Sequence, residues 1–311
     1  MGIKLLNKFL RQFHLNEIIE MPIHHLYGKK IAVDASIYLY KCKEDGQLIP
    51  NIYFMCSLFR KHNITPIFIF DGKPPIEKKN ILIKRKIRKN QAKQQFLQIK
   101  EKIKNASQIE KKKLTQQMKI LKKKFIRITY QDIQNVKELL DCYGITYLTA
   151  NGEADILCAQ LVINNQVFAC LSEDTDLFVH GCPRVLRYFS FINKTVVLYN
   201  LHNILKKINL SFEHFKQICI LSTNDYNISN KNIFQYYNLF LDFEKSTLNI
   251  DFYDWLYHKN LLETSILNLR KINKIFNHNN EKYSINISNK KILFKKLYNL
   301  LNSFNFIFIA N

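Results

Sequence analysis

The sequence lacks the features that mark membrane-spanning, secreted and zinc-binding chains. No apolar run among its 311 residues is long enough to cross a bilayer, and no secretory signal is visible. The seven cysteines are scattered, odd in number and mostly within apolar runs, and no two of them form a C-x-x-C pair. We therefore expect reduced core cysteines in an intracellular protein, and neither a disulfide framework nor a zinc site.

Internal repeats and proline-rich linkers are also absent, and acidic residues are scarce beside basic ones. The hydrophobic content of 47% is enough for one large domain or a domain with a lobe. Only eight of the 47 basic residues are Arg, and AT-rich coding alone can produce such an excess of Lys. The distribution of the charge along the chain therefore decides whether it reflects coding bias or function. Residues 73–127 hold 20 Lys or Arg and three acids, which places +17 of the net +22 in one segment. This concentration predicts a polyanionic partner.

Four of the few acidic residues form two short-spaced pairs, Glu153 with Asp155 and Asp174 with Asp176. The first pair precedes a predicted helix, and the second follows a predicted buried strand over 167–171. Helix starts and strand ends meet at the edge of an α/β sheet, so we expect these carboxylates to converge there. Gathered carboxylates repel one another unless cations join them, and hard oxygen ligands suit Mg²⁺ or Mn²⁺ rather than zinc.

Two earlier strands each add an aspartate to the same edge. The predicted strand 30–33 ends before Asp34, and the predicted strand 66–70 ends before Asp71. A single acidic pair is commonly solvated surface, and a single aspartate after a strand is commonly a turn residue. Two such aspartates facing two acidic pairs predict one constellation.

The other segments alternate between strand and helix patterns. Ser36 is predicted to cap a helix reaching Tyr40, and Asn151 or Gly152 to cap the helix after the first acidic pair. Further predicted elements are strands over 143–148 and 195–199 and helices over 201–208 and 212–221. The sequence after residue 230 is helical in period. This order predicts an α/β fold with a central, mostly parallel sheet flanked by helices.

The basic segment has a helical period of its own. Apolar residues recur at helical spacing on both sides of Asn105-Ala106-Ser107: Phe96, Ile99 and Ile103 before it, and Leu114, Met118, Leu121 and Phe125 after it. We predict a helical hairpin with a narrow apolar seam and a dense basic exterior. The alternative is a solvated coiled-coil arm. In front of an acidic metal site, a basic arm would suit a phosphate-rich strand.

Five ordered motifs carry a family resemblance. They are Val33-Asp34-Ala35-Ser36, Phe70-Asp71-Gly72-Lys73-Pro74-Pro75, Gly152-Glu153-Ala154-Asp155, Glu173-Asp174-Thr175-Asp176 and Asn224-Asp225-Tyr226. With them the chain resembles the flap endonuclease family of structure-specific 5′-nucleases, over roughly seven-tenths of its length. The resemblance implies a 5′-nuclease/PIN-like fold with a nuclease core over 1–226. That core would include a basic helical arch at about 76–127, and a C-terminal helical region would follow over 227–311.

The resemblance also implies roles for individual residues. Seven carboxylates would hold two Mg²⁺ ions, with Mn²⁺ as a substitute: Asp34, Asp71, Glu153, Asp155, Asp174, Asp176 and Asp225. Asp155 stands where the family usually has Glu. The candidate substrate-binding residues are Tyr40, Lys78, Arg85, Arg127 and Arg187. Among them Lys78 and Arg85 match arch residues that contact the scissile phosphate and act in catalysis, and Tyr40 matches a tyrosine that supports the base beside the cut.

Two departures from the family pattern concern its binding partners. After Asp225-Tyr226 the family carries a glycine-rich helix–turn–helix that binds K⁺ and holds duplex phosphates, whereas residues 227–235 contain no glycine. Glycine permits φ > 0 and a close backbone approach to an ion, so we expect no specific K⁺ binding at this degenerate turn. Residues 302–308 lack the Gln-x-x-hydrophobic-x-x-aromatic-aromatic tail that many members use on the sliding clamp.

The predicted function is a divalent-metal-dependent, structure-specific 5′-flap endonuclease with 5′–3′ exonuclease potential. It would act on branched or flapped DNA in replication and repair, in the nucleus or another intracellular DNA-replication compartment, with no membrane partner. A related 5′–3′ exonuclease or an RNA-directed 5′-nuclease is the alternative within the superfamily. A catalytically decayed branched-DNA-binding protein is the alternative from another class, and the acidic identity of all seven positions argues against it.

Overall fold

The computed structural model describes residues 2–13, 16–105, 107–277 and 285–307. The strands are β1 (Ile18–Pro22), β2 (Lys30–Asp34), β3 (Thr65–Phe70), β4 (Thr146–Thr149), β5 (Ala169–Leu171), β6 (Arg184–Ser190) and β7 (Thr195–Asn200). The helices are α1 (Leu6–Arg11), α2 (Ala35–Glu44), α3 (Leu48–Lys61), α4 (Lys79–Lys104), α5 (Gln108–Lys124), α6 (Tyr130–Tyr143), α7 (Ala154–Ile163), α8 (Asp176–Val179), α9 (Leu201–Lys207), α10 (Phe212–Leu221), α11 (Ile233–Glu244), α12 (Phe252–His258), α13 (Ile266–Phe276) and α14 (Phe294–Ser303).

The chain divides into two compact units, each built from separate stretches of sequence. The first unit comprises Met1–Ile37, Met55–Lys73 and Ile145–Lys290, and the second comprises Tyr38–Phe54, Pro74–Gly144 and Lys291–Asn311. The division into a nuclease core over 1–226 and a C-terminal region over 227–311 stays a prediction. In the described part of the chain, no helix is long and apolar enough to span a membrane.

The first unit contains a seven-stranded sheet with the order β1-β7-β6-β5-β2-β3-β4. The five strands from β6 to β4 pair in parallel. Strand β7 pairs antiparallel to β6, and β1 pairs antiparallel to β7. The central strand β2 is buried from Ile31 to Asp34, as expected for a parallel strand that is covered on both faces. The predicted mostly parallel sheet flanked by helices is confirmed.

Apolar residues from the sheet and its helices form one core in this unit. Helix α7 contacts β2, β3 and β5, and nearly all of its side chains are buried. The aromatic-rich sequence after residue 230 supplies three helices, α11 to α13, that also contact α10 or one another. All seven cysteines are buried and free, which agrees with their predicted role as reduced core residues.

The second unit contains the basic helical hairpin, and the predicted seam is confirmed. Helices α4 and α5 pack along each other, with the rings of Phe96 and Phe125 in an edge contact at 5.3 Å. Ser107 begins α5 through a capping box with Glu110. Ala106, in the predicted connection, lies outside the described residues. Elsewhere in this unit α6 packs against α14.

Several predicted boundaries were wrong. The expected strand 143–148 begins only at Thr146, because α6 continues to Tyr143 and ends at Gly144 in the left-handed conformation, with φ 73°. Strand 167–171 is shorter than predicted and begins at Ala169. Strands β1 and β6 were not predicted. β1 is largely exposed and shows no regular alternation, and two arginines interrupt the apolar pattern of β6.

Candidate metal centre

Acidic side chains gather where the parallel strands end. Asp34 is the last residue of β2, and Asp71 directly follows β3. Asp155 lies in the first turn of α7, and Asp176 begins α8 after strand β5. These positions lie at the carboxyl edge of the sheet, which is the usual ligand-binding edge of α/β folds. The predicted convergence of the acidic pairs at this edge is therefore seen in the first unit.

Three carboxylates form a cluster with the geometry of a metal site. One oxygen each from Asp155, Asp174 and Asp176 lies within 4.8 Å of the other two. Asp155 and Asp176 are buried and Asp174 is half-buried. Such close anionic oxygens repel one another in a poorly solvated site, and a hard divalent cation removes that repulsion. The donor set therefore fits Mg²⁺ or Mn²⁺.

Asp34 reports the same crowding of negative charge. Burial raises the pKa of its carboxyl to about 8, whereas a 2.7 Å hydrogen bond donated by Ser172 opposes that rise. The charges of Asp71, Asp174 and Asp155 raise the pKa further. In the absence of a cation, Asp34 therefore holds a proton at neutral pH.

Asp71 links two elements of the site. Its Oδ2 accepts a hydrogen bond from the hydroxyl of Ser36, and its Oδ1 accepts one from the backbone N–H of Ala154 at 2.9 Å. Two cap predictions were therefore wrong. Ser36 lies inside α2, which begins at Ala35. The first N–H of α7 is satisfied by Asp71, which follows β3, rather than by Asn151 or Gly152.

Glu153 and Asp225 are both neighbours of Tyr226, the first through a hydrogen bond and the second along the chain. Glu153 is the N-cap residue of α7, and its Oε2 accepts a hydrogen bond from the Tyr226 hydroxyl at 3.2 Å. Asp225 is half-buried in the loop between α10 and α11, next to Tyr226. The tight cluster comprises Asp155, Asp174 and Asp176, and metal ligation by all seven predicted carboxylates stays a prediction.

Gly2 is a site residue that the sequence motifs did not single out. It has φ +84°, and a Cβ at this position would lie 2.3 Å from Thr175 Oγ1, 2.4 Å from Asp174 Oδ1 and 2.9 Å from the backbone N of Asp176. The backbone near the amino terminus therefore lies directly against the second acidic pair. Only a residue without a side chain fits this approach.

Arg187, a predicted substrate-binding residue, is buried in the first unit. Its guanidinium donates hydrogen bonds to the carbonyl of Glu173 at 2.9 Å and to Asn7 Oδ1 at 3.2 Å. These contacts hold the segment that leads into Asp174. Its predicted contact with substrate stays a prediction.

The other predicted substrate-binding residues belong to the second unit. Tyr40 is 38% exposed, and the ammonium of Lys89 lies 4.9 Å from its ring centre while donating to the carbonyl of Ile126 at 3.0 Å. Lys78 is buried immediately before α4, Arg85 is half-buried on that helix, and Arg127 is exposed after α5. The lysine contact fixes the Tyr40 ring and leaves part of its surface open to solvent.

The glycine-free turn is held together by asparagine side chains. The Asn224 amide donates to the carbonyls of Cys219, Ile220 and Ser222, and the Asn227 amide donates to those of Ile220 and Leu221. These carbonyls are the open acceptors at the end of α10, and protein donors satisfy them. The expectation that the turn binds no K⁺ specifically stays a prediction.

A carboxylate from farther along the chain closes the same turn. Glu263 accepts hydrogen bonds from Ser229 Oγ at 3.0 Å, the Asn230 N–H at 2.7 Å and Lys231 Nζ at 2.9 Å. Burial raises the pKa of Glu263, but these three donors outweigh it and leave the pKa below its ordinary value. Asn232 then begins α11 through a capping box with Gln235. The turn thus contains its own cation, the Lys231 ammonium.

Comparison with known proteins finds two matching domain families and several similar proteins. The XPG N-terminal domain matches residues 1–92, and the XPG I-region matches residues 144–225. Flap endonuclease 1-A of Xenopus laevis is 31% identical over 244 residues, which are 73% of this chain and 61% of that protein. Flap endonuclease 1 of Lodderomyces elongisporus is 29% identical over 245 residues, with the same coverage of 73% and 61%. The aligned region thus spans about three-fifths of the length of these curated relatives.

Solved structures share the fold at lower sequence identity. Flap endonuclease-1 from Methanococcus jannaschii superposes with a TM-score of 0.66 at 20% identity, covering 98% of this chain and 94% of that one. The catalytic core of Rad2 in complex with a DNA substrate gives a TM-score of 0.65 at 18% identity, with coverages of 97% and 95%. Human GEN1 in complex with Holliday junction DNA gives a TM-score of 0.65 at 18% identity, covering 97% of this chain and 73% of that one.

Proposed function

Because the chain belongs to the flap endonuclease family of 5′-nucleases, we propose that it is a divalent-metal-dependent endonuclease that cuts 5′-flapped DNA. The observation that carries this proposal is the cluster of Asp155, Asp174 and Asp176 at the carboxyl edge of the parallel sheet. Phosphodiester hydrolysis needs charge stabilisation on both sides of the phosphorus, and clustered carboxylates hold the cations that supply it.

The residues of the first unit would prepare the site for two Mg²⁺ ions, or Mn²⁺ as a substitute. When bound, such ions supply an activated water and stabilise the departing 3′ oxygen. The carboxylates of Asp34, Asp71, Glu153 and Asp225 would complete the ligand set around the cluster. Asp34 would give up its proton as the cation binds, because the cation stabilises its charged form more than burial destabilises it.

The second unit would supply contacts to the substrate. Lys78 and Arg85 would bind the scissile phosphate and stabilise its developing charge. Tyr40, steadied by Lys89, would stack beneath the base beside the cut. Arg127 would bind the DNA backbone.

The same chemistry would also allow a 5′–3′ exonuclease activity. The protein would act in DNA replication and repair, in the nucleus or another compartment that replicates DNA. Branched or flapped DNA would be the partner. A contact with the sliding clamp through residues 302–308 is not part of the proposal, since they lack the usual motif; Phe308 lies outside the described residues.

A labelled-substrate panel tests the proposal. A 5′-flap, a nicked duplex, a blunt duplex and a flap with an RNA 5′ segment are each incubated with and without Mg²⁺. We expect Mg²⁺-dependent cleavage at the flap junction. If the nicked or blunt duplex is cleaved fastest, the protein is an exonuclease. If the RNA-containing flap is cleaved fastest, it is an RNA-directed nuclease. Tight flap binding without cleavage would indicate a binding protein.

The double variant Asp174→Ala/Asp176→Ala gives the matched test of the site. Removing two anionic ligands should abolish cleavage while flap binding stays intact or becomes slightly tighter, because repulsion of phosphate also falls. Near-wild-type turnover in this folded variant would show that the pair is not catalytic.

A further inference from the structure

A buried histidine lies against one carboxylate of the acidic cluster, although no sequence motif includes it. His180 follows the short helix α8, and its side chain is 3% exposed. Its Nε2 lies 3.7 Å from Oδ2 of Asp155, close enough for an electrostatic contact and slightly too long for a hydrogen bond. The imidazole thus faces a candidate metal ligand from inside the protein.

The two oxygens of the Asp155 carboxylate contact different groups. Its Oδ1 accepts a hydrogen bond from the N–H of the next residue, Ile156, at 2.7 Å, so the side chain folds back over the start of α7. The imidazole of His180 faces the other oxygen of this carboxylate, Oδ2.

The position of the imidazole is itself fixed by packing. Its ring centre lies 4.9 Å from that of Phe276, tilted by 45°. Phe276 is buried and is the last residue of α13. The backbone N–H of His180 donates to the carbonyl of Asp176 at 2.9 Å, which ties the histidine to a second residue of the cluster. A helix beyond residue 230 thereby supports the acidic centre.

We propose that His180 is a positioning residue, which orients the Asp155 carboxylate toward a divalent cation while Phe276 holds the imidazole in place. Outer groups that orient the ligands of a metal typically cost about 10–100-fold in metal affinity or activity when they are lost. The inference rests on the proposed metal-dependent function. It adds a residue of this chain that directs the carboxylate at position 155.

The test measures Mn²⁺ binding to the DNA-free protein by the electron paramagnetic resonance signal of free Mn²⁺. His180→Phe keeps an aromatic ring against Phe276 but removes the ring nitrogens, and we expect it to weaken Mn²⁺ binding about 10–100-fold. His180→Gln retains an N–H donor and should recover most of the affinity. The Mg²⁺ concentration that gives half-maximal flap cleavage should shift in the same order.

A matched control separates positioning from packing. His214 on α10 also packs its ring against a phenylalanine, Phe240, at 4.8 Å and a tilt of 50°. We expect His214→Phe to leave Mn²⁺ affinity unchanged, and both Phe variants to melt close to the wild type in EDTA. Equal Mn²⁺ affinity in His180→Phe and the wild type would overturn the proposal, and so would a loss in His180→Gln as large as in His180→Phe.

A double-mutant cycle with Asp155→Glu tests the partner of His180. The longer side chain moves the carboxylate away from the imidazole, so His180→Phe should cost much less Mn²⁺ affinity in the Asp155→Glu background than in the wild type. The same fold-loss in both backgrounds would overturn the pairing. Wild-type protein that binds Mn²⁺ but cuts no flap would refute the proposed function alone, and the variants would still decide the role of His180. A wild type that binds no Mn²⁺ would overturn both.

Discussion

At the scale of single residues, Gly2 gives the sharpest test of how the acidic centre is built. Gly2→Ala introduces a Cβ within 2.9 Å of three atoms of residues 174–176, so that segment must move. We expect weaker Mn²⁺ binding and slower flap cleavage. The matched control is Gly28→Ala, at φ +70° with nothing within 4 Å of the added Cβ. Both variants should lose about 1 kcal/mol or more of stability, because alanine disfavours the left-handed backbone. Only Gly2→Ala should also lose metal affinity. Equal losses of metal affinity in the two variants would refute the close approach of Gly2 to the acidic pair.

Asp34 predicts how the stability of the metal-free protein depends on pH. Its pKa is about 8 in the folded protein against an ordinary value of 3.8, so between these values the folded state binds a proton that the unfolded state has released. Stability in EDTA should therefore fall as pH rises from about 4 to 8, by on the order of a few kcal/mol.

The corresponding measurement is the melting temperature in EDTA across that pH range. Asp34→Asn removes the titrating group and should flatten the decline, and Mg²⁺ should stabilise the wild type more at pH 8 than at pH 6. An equally steep decline in Asp34→Asn would assign the pH dependence to other groups.

The residues of the site were predictable only in part, for a physical reason. Asp34, Asp71 and the two acidic pairs follow from the sequence, because buried strands that end in carboxylates place them at one sheet edge. Gly2, Ser172 and His180 were missed. Ser172 and His180 contact residues that are distant in the sequence, and Gly2 matters because it has no side chain. The spacing of motifs along the chain does not contain that information; packing does.

At the scale of elements, the same distinction holds. The helical hairpin was predicted because its apolar seam repeats every three or four residues on both sides of a short connection. Helix α6 was missed although Thr129 and Asp132 form a capping box that marks its start. The cap of α7 was predicted wrongly from the local sequence, since the first N–H of α7 is satisfied by Asp71, which follows β3. Caps made within four residues are readable from sequence, and caps made across the fold are not.

The turn between α10 and α11 predicts a binding property of that element. Its carbonyls accept hydrogen bonds from Asn224 and Asn227, and Lys231 with Glu263 supplies a built-in ion pair. We expect replacement of K⁺ by Na⁺ at constant ionic strength to leave flap affinity almost unchanged. A K⁺-specific gain in affinity that disappears in Ser229→Ala would show that the turn binds the ion after all.

At the scale of the whole molecule, the two units differ in charge. Residues 73–127 carry +17 of the net +22, and in helices α4 and α5 only Ala92 is buried, so the lysines of the hairpin face solvent. The acidic centre in the other unit would by itself repel DNA. Under the proposed function, the cationic hairpin would supply the attraction to DNA that the acidic centre lacks, and it would do so without reading sequence.

This division predicts how affinity depends on salt. Replacing the three lysines 111–113 by Gln should weaken flap binding and flatten its salt dependence by up to about 2.7 on duplex DNA, since each phosphate contact contributes about 0.9 to the slope. The rate at saturating DNA should stay near that of the wild type. The control replaces Lys291, Lys295 and Lys296, which are exposed outside the hairpin, and it removes the same charge. If the control flattens the slope equally, net charge rather than the hairpin governs binding.

Arg85 should behave in the opposite way, because its proposed partner is the phosphate that is being cut. Arg85→Ala removes one charge from α4, so affinity and salt slope should change little. The single-turnover rate at saturating flap DNA should fall by about 10²–10³, as for the loss of a donor to developing charge. Measured together, the lysine triplet and Arg85 separate attraction from catalysis. If Arg85→Ala lowers only the affinity for DNA, Arg85 contributes general attraction to DNA and has no role in catalysis.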